Sequence, residues 1–385
     1  MLIAYFFFSR EGIILKRIIY KDWYYMTLCA RNTAGFQVHN MVTDEMPYRV
    51  ETIAEGLYVP WAIAISDNGR LYFTERSGVI RVIDNGRLIQ EPLITFGPPF
   101  VNRGEGGLMG IAIDPNFEQN HYIYVMHTYT EHNQLLNRII RLKENNNTAQ
   151  IDQIIIDKIP GGLIHNGGRI KIGPDQKLYV TTGDAGNANL AQNMSSLAGK
   201  ILRLELDGSI PKNNPIPNSP IYSLGHRNPQ GLAWNSEDVL YASDHGAVAH
   251  DEINIIYPGA NYGWPYVEGE ETSTEFLIQN PIIQSGNSTW APSGMTFVTD
   301  GPWKGQLLVA TLRGQQLLDF SIDENGIDVS KVDSWLQNQV GRLRDVVEDK
   351  DGRIYITTSN RDGRGAPSPT DDRIIRLVPN DRIIL

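Results

Sequence analysis

The sequence predicts an all-β fold, a six-bladed β-propeller built of four-stranded antiparallel blades. Three observations carry this. One pattern recurs from Tyr58 onward at roughly 50–65 residues, the length of a propeller blade with its loops. Within each copy, apolar and polar residues alternate with period two between turn-forming Asp, Asn, Pro and Gly. No stretch sustains a helical period.

The first copy runs over residues 61–74 and 79–83, and the second over 110–115, 122–126 and 138–142. The third runs over 168–175, 177–182 and 200–204, and the fourth over 231–234, 239–243 and 252–256. The fifth has 293–297, 306–310 and 317–320, and the sixth 344–347, 353–357 and 374–377. A ring must join its last blade to its first. Residues 48–53 therefore supply the strand that completes the sixth sheet, leaving no long bare edge. The extra residues around the third to fifth copies become loops on one face, where a propeller builds its site.

All 385 residues fit one large core plus a leader. We place the leader at residues 1–45 and the propeller at 46–385. With 36 Gly, 21 Pro and only 20% charged residues, the chain reads as globular and rich in turns. Its formal net charge of −10 argues against nucleic acid and anionic membrane surfaces as partners. The one cysteine, Cys29, excludes an intramolecular disulfide and a cysteine-based zinc cage. In the leader, the apolar run 2–8 is broken by charged residues. It makes a poor membrane span and a scrambled export signal, with Met26 and Met41 as alternative starts. Thr27 and Leu28 before Cys29 depart from a lipoprotein site.

Candidate chemistry falls at repeat boundaries. His165 precedes a strand of the third copy and Asp184 follows the next, so antiparallel pairing brings both to one sheet end. They read as a general base with an orienting carboxylate, or as a loop histidine and a turn-forming aspartate. Arg227 and Asn228 lead into the fourth copy at the same end, as an oxyanion-holding pair or a common surface pair, with His226 as a packing neighbour. Arg313, Arg342 and Arg344 form a cationic arc suited to a polyanionic ligand. The acidic, turn-rich stretch 244–265 exposes the hard oxygen donors that calcium takes, without EF-hand spacing.

In order, the segments 104–110 (GEGGLMG), 165–168 (HNGG), 173–175 (GPD), 182–184 (TGD), 227–231 (RNPQG), 251–254 (DEIN), 261–265 (NYGWP) and 341–346 (GRLRDV) resemble the soluble pyrroloquinoline quinone-dependent sugar dehydrogenases, the glucose/sorbosone dehydrogenase family. The likeness covers roughly residues 48–379. It implies a quinoprotein that oxidises the C1 hydroxyl of aldose sugars to lactones and passes electrons to an external acceptor. By that resemblance His165 is the base, Asp184 orients it, and Arg227 and Asn228 contact the quinone. Arg313, Arg342 and Arg344 then grip cofactor carboxylates. A catalytic Ca2+ maps onto Gly246 and Ala247, and a structural one onto Glu252 and Tyr262.

Two positions depart from the family. Ala247 stands where several relatives have proline, which still leaves a carbonyl ligand. Glu105 stands where some carry a cofactor-touching glutamine, and puts an anion near an anionic cofactor unless it is protonated or paired. The chain's compactness predicts a monomer, and the resemblance a periplasmic or extracellular location. No haem-binding Cys-x-x-Cys-His is present. Two rival readings are a calcium-dependent lactonase on a six-bladed propeller and a non-enzymatic binding propeller.

Overall fold

The computed structural model describes residues 45–380 apart from 274–276 and 324. The leader, with Cys29 and the alternative starts, lies outside the described residues apart from its last position. Regular structure among them is twenty-five strands, one four-residue helix (Phe117–Asn120) and a 3-10 turn (Ala188–Ala191). No helix among them is long and apolar enough to cross a membrane.

The strands pair antiparallel in six sheets, as the repeat predicts. Blade 1 holds Pro60–Ile65, Leu71–Glu75 and Val79–Asp84; blade 2 holds Leu108–Ile113, Tyr122–Glu131, Gln134–Asn145 and Thr148–Pro160. Blade 3 holds Ile170–Ile172, Leu178–Thr182, Lys200–Leu204 and Ile221–Leu224; blade 4 holds Pro229–Trp234, Leu240–Asp244, Glu252–Ile255 and Ile283–Gln284. Blade 5 holds Pro292–Phe297, Leu307–Thr311, Leu317–Ile322 and Val329–Trp335. Blade 6 holds Leu343–Glu348, Ile354–Thr358 and Ile374–Pro379, and its outer place is taken by Tyr48–Ala54, Val50 standing opposite Leu377. The ring thus closes with the strand the sequence assigns to it.

Blade 1 differs from a plain four-stranded sheet. Its outer place is shared by Arg87–Leu88 and Ile94–Thr95, both paired with Val79–Asp84. Asn85 and Gly86, at φ 50° and 72°, turn the chain tightly into the first of these. Pro92, which has no N–H, falls in the gap before the second.

The second strand of most blades is buried at every position, because it is packed on both faces by neighbouring sheets. Apolar clusters accordingly lie between blades. Leu308 and Leu317 meet Ile356 and Leu377 between blades 5 and 6, and Tyr179 and Ile201 meet Leu232 and Leu240 between blades 3 and 4. At the axis the backbones approach closely. A Cβ on Gly110 would stand 2.3 Å from the Gly168 carbonyl, and one on Gly294 only 1.9 Å from Asp345 Oδ1.

That aspartate fills the channel. Arg169 beside the inner strand of blade 3 reaches across to Asp345 on blade 6, Nη1 lying 2.9 Å from Oδ1. Its Nε donates to the Gln230 carbonyl at 2.8 Å, and its guanidinium lies over the Trp61 ring, 4.5 Å from the centroid. Asp345 Oδ2 accepts from Ile63 N at 2.9 Å. Two side chains therefore tie blades 1, 3, 4 and 6 together. Asp345→Ala would strand the Arg169 charge in the channel, and we expect a loss of about 3–5 kcal/mol, read as a lower urea midpoint. Asp345→Asn, which keeps the acceptor for Ile63 N–H, should lose less.

Candidate active site

Within a blade the first and second strands are antiparallel, so residues leading into the first and leaving the second meet at one end of the channel. Glu105, His165, Arg227, Asn228, Arg342 and Arg344 arrive by the first route, and Asp184, Asp244 and Arg313 by the second. The structure brings most of them together.

His165 Nδ1 lies 2.7 Å from Asp184 Oδ1, and both side chains are largely buried. The same oxygen accepts Gly186 N–H at 2.8 Å, and Oδ2 accepts the Trp264 indole N–H at 2.9 Å. Burial pushes the Asp184 carboxyl up. The hydrogen bond and charge of His165, with the Gly186 and Trp264 bonds, outweigh it and hold the group below the usual carboxylate range. A carboxylate fixed at Nδ1 leaves Nε2 as the basic nitrogen.

Trp264 also carries Arg227, whose guanidinium lies 5.3 Å from the ring centroid. Arg227 Nε is buried and has no partner. Asn228 is buried and held from three sides. Its N–H donates to Asp244 Oδ1 at 2.7 Å, its Oδ1 accepts from Gly167 N at 3.0 Å, and its Nδ2 sits 3.3 Å from His245 Nδ1. Burial pushes His245 down, so the ring is neutral and orients the Asn228 amide while Nε2–H donates to the Pro292 carbonyl. His226 is buried and stacks on Tyr262 at 4.6 Å, the packing role its sequence position indicates.

The clamp residues share one carboxylate. Asp362 Oδ2 accepts from Arg342 Nε at 2.9 Å and from Arg344 Nη2 at 3.4 Å, and Arg76 Nη2 donates to the Asp362 carbonyl at 3.3 Å. Burial pulls Arg344 down to about 10, with Asp362 acting against it, so it stays charged at neutral pH. Arg76 Nε, like Arg227 Nε, is buried without a partner. Two guanidinium groups on one carboxylate, with a third on its main-chain carbonyl, leave positive charge to be matched, which suits a ligand carrying several carboxylates. Arg313 stands apart: its side chain is exposed and makes no hydrogen bond or ion pair among the described residues, although the Leu312 carbonyl beside it accepts from Arg342. Glu105 is paired, with Oε1 2.5 Å from Arg364 Nη2 and Oε2 accepting from His165 N at 2.9 Å.

Gly246, Glu252 and Tyr262 surround one small cavity with Arg227, of about 10 Å³, room for a single water-sized occupant. Residues assigned by resemblance to two separate calcium positions thus meet around one space, whereas Ala247 is exposed and outside its lining. Burial, reinforced by Asp244, pushes Glu252 up to about 8. Beside it Asn254 Oδ1 is buried without a partner. Glu252 accepts from Asn254 Nδ2 at 3.0 Å and from Gly269 N at 2.8 Å, and a hard cation in the cavity would favour its ionised form. Asp244, His245 and Glu268 also line the cavity, but among the described residues no three His, Cys, Asp or Glu side chains are arranged to hold a metal ion, so a cation here would also need other donors such as main-chain carbonyls.

Sequence reasoning missed Arg76, Asp362 and Arg364, and held Trp264 and His245 only as members of the stretch 244–265, without a role for either. Only Arg76 carried a signal, since it follows the second strand of its blade as Arg313 nearly does.

Fold and site together define a propeller whose cationic channel mouth holds a carboxylate-oriented histidine. The chain belongs to the Glucose / Sorbosone dehydrogenase family, whose model matches residues 57–376. It is 32% identical over 305 residues to quinoprotein glucose dehydrogenase B of Acinetobacter calcoaceticus, spanning 68% of this chain and 63% of that protein. To the aldose sugar dehydrogenase YliI of Escherichia coli it is 29% identical, over 82% of this chain and 91% of the relative. The solved PQQ-bound aldose sugar dehydrogenase of Streptomyces coelicolor superposes with a TM-score of 0.78 at 36% identity, over 86% of this chain and 98% of that one. Mouse Hedgehog-interacting protein is 27% identical over 81% of this chain and 50% of its own length.

The raised Glu252 carboxyl gives a pH signature. Its folded value of about 8 exceeds the 4.5 of an unperturbed glutamate, so the stability it contributes is full below 4.5 and is lost as pH rises toward 8. Chelator-treated protein should therefore lose thermal stability across that window. If Ca2+ takes this cavity it favours the ionised form, and adding it should restore more at pH 8 than at pH 6 in the same melting experiment.

Proposed function

We propose that the protein is an aldose dehydrogenase that uses pyrroloquinoline quinone and Ca2+ to oxidise the C1 hydroxyl of sugars to lactones, handing electrons to an external acceptor outside the cytoplasm. The observation that carries this is the His165–Asp184 pair, tied through Trp264 to an Arg227 whose Nε is buried and unpartnered. When bound, the quinone supplies a two-electron oxidant and calcium the Lewis acid that polarises it. His165 Nε2 takes the proton of the anomeric hydroxyl as the C1 hydride departs, and Asp184 stabilises the imidazolium that forms. Arg227 and Asn228 offer donors where negative charge grows. Arg342 and Arg344, with Arg76 behind them and Arg313 at the rim, would hold the cofactor's carboxylates. Gly246, Glu252 and Tyr262 are the residues from which calcium ligands would come, with Ala247, exposed and outside the cavity, left out of the set.

The likeness to Hedgehog-interacting protein favours a second reading, a propeller that binds a partner without chemistry. The oriented histidine argues against it, since a binding surface needs no base. A lactonase site needs carboxylates and amides converging on a channel metal, whereas guanidinium groups dominate this mouth.

The deciding experiment is dye-linked oxidation of glucose and other aldoses by the purified protein, with quinone and Ca2+ supplied together and each omitted in turn. Activity requiring both supports the proposal; no activity and no quinone binding by absorbance titration would favour the binding propeller. His165→Ala should lower turnover by roughly 10²–10⁴-fold while quinone titration stays near wild type. Arg344→Ala should instead weaken quinone binding by about tenfold or more.

A further inference from the structure

We infer that Glu105 and Arg364 are positioning residues for the base, a brace from blades 2 and 6 that fixes the His165 backbone. This rests on the reading of His165 as the base. His165 has φ 57°, a left-handed conformation that a non-glycine residue keeps only when its surroundings over-determine it. They do so here. The Ala185 N–H donates to the His165 carbonyl at 3.0 Å, and Gly183 is obligatory beneath it, because a Cβ there would stand 2.1 Å from that oxygen. The other end of the residue is held from a different blade. His165 N–H donates to Glu105 Oε2 at 2.9 Å, and Glu105 N–H donates to the Leu163 carbonyl of the same loop at 2.8 Å.

A carboxylate placed there needs a counter-charge. Arg364 supplies it from a loop 259 residues further along, its Nη2 2.5 Å from Glu105 Oε1. Arg364 is itself seated, its N–H donating to Asp362 Oδ1 at 2.9 Å, and the other oxygen of Asp362 carries Arg342 and Arg344. The brace thus connects base to clamp through Glu105, Arg364 and Asp362. Both oxygens of Glu105 are engaged, so its work is to hold the loop rather than to touch the cofactor. The charged groups around the base are Asp184, Glu105 and Arg364, with Arg227 reaching it through Trp264.

The test pairs two readouts on full-length protein. One is hydrogen exchange at the His165 backbone amide without cofactor, and the other is steady-state kinetics after reconstitution. Glu105→Ala should remove the amide's protection and lower kcat roughly 10–100-fold, with KM and quinone affinity changed less than about threefold. Glu105→Gln, which still accepts the amide, should keep the protection and recover most of kcat. Arg364→Ala should fall between them, and its effect should not add to that of Glu105→Gln. Unchanged protection and kcat in Glu105→Ala would overturn the brace, as would a loss confined to quinone affinity, which would make Glu105 a cofactor contact. If Glu105→Ala does not fold, full kcat and protection in Arg364→Ala overturn it equally. Amide exchange reports on the brace even if wild-type protein oxidises no sugar, so failure of the brace and failure of the proposed function give different results.

Discussion

Six sheets converging on one axis leave a hole, and the ion pair between Arg169 and Asp345 occupies it. The pair spans blades that face each other across the ring, and its remaining bonds go to the backbone of two others. Such a pair is costly to desolvate: burial pulls Arg169 down, and only the nearby Asp345 works against that. What it contributes is a fixed geometry. Gln230, whose carbonyl takes the Arg169 Nε–H, also presents its side-chain oxygen to Arg344 at 3.4 Å, and both guanidinium groups pack on Trp61, 4.5 and 5.6 Å from its ring centre. The clamp is therefore built directly on the plug of the channel.

The choice of arginine follows from the burial. Arg344 drops to about 10 and remains charged, whereas Lys200, buried and donating to three carbonyls in blade 3, drops to about 8. A lysine in the clamp would have a smaller margin of charge above neutral pH, and it would lose the planar fork that meets a carboxylate with two bonds. A protein of net charge −10 thus gathers Arg76, Arg227, Arg342 and Arg344 at one end of the ring, where Asp362 alone is bonded to three of them, which favours a polycarboxylate there over one elsewhere on the surface.

What the sequence disclosed and what it withheld divide along one physical line. Period-two alternation and turn residues are local, so six blades and the closing strand at Tyr48–Ala54 could be read directly. The split outer edge of blade 1 could not, because two-residue strands carry no period. His165 and Asp184 were legible because they lie nineteen residues apart on neighbouring antiparallel strands, where strand polarity alone decides that they meet. Trp264 is eighty residues from the aspartate it holds, and Arg364 comes from the opposite end of the chain to Glu105. Such contacts depend on how the blades rotate against one another, which no spacing encodes. Ala247 shows the reverse case: the motif placed it with Gly246, yet one residue further along the turn faces solvent.

The departure at Glu105 shows how the site tolerates a charge that looks misplaced. Near a cluster of guanidinium groups an unpaired carboxylate would compete with any anionic ligand for them. Paired with Arg364 it becomes neutral to its surroundings while still offering a strong acceptor to the His165 amide. In the proposed reaction the proton leaves the hydroxyl oxygen and the hydride the carbon beside it, so base and oxidant must keep a fixed separation, because a misplacement of an ångström can cost about 10²-fold in rate. Loops are the most mobile parts of a protein, and both groups here depend on loops. Asp362 is shared between the clamp and the seat of Arg364, so a short chain of hydrogen bonds, and not the stiffness of either loop alone, links the position of the base to that of the clamp.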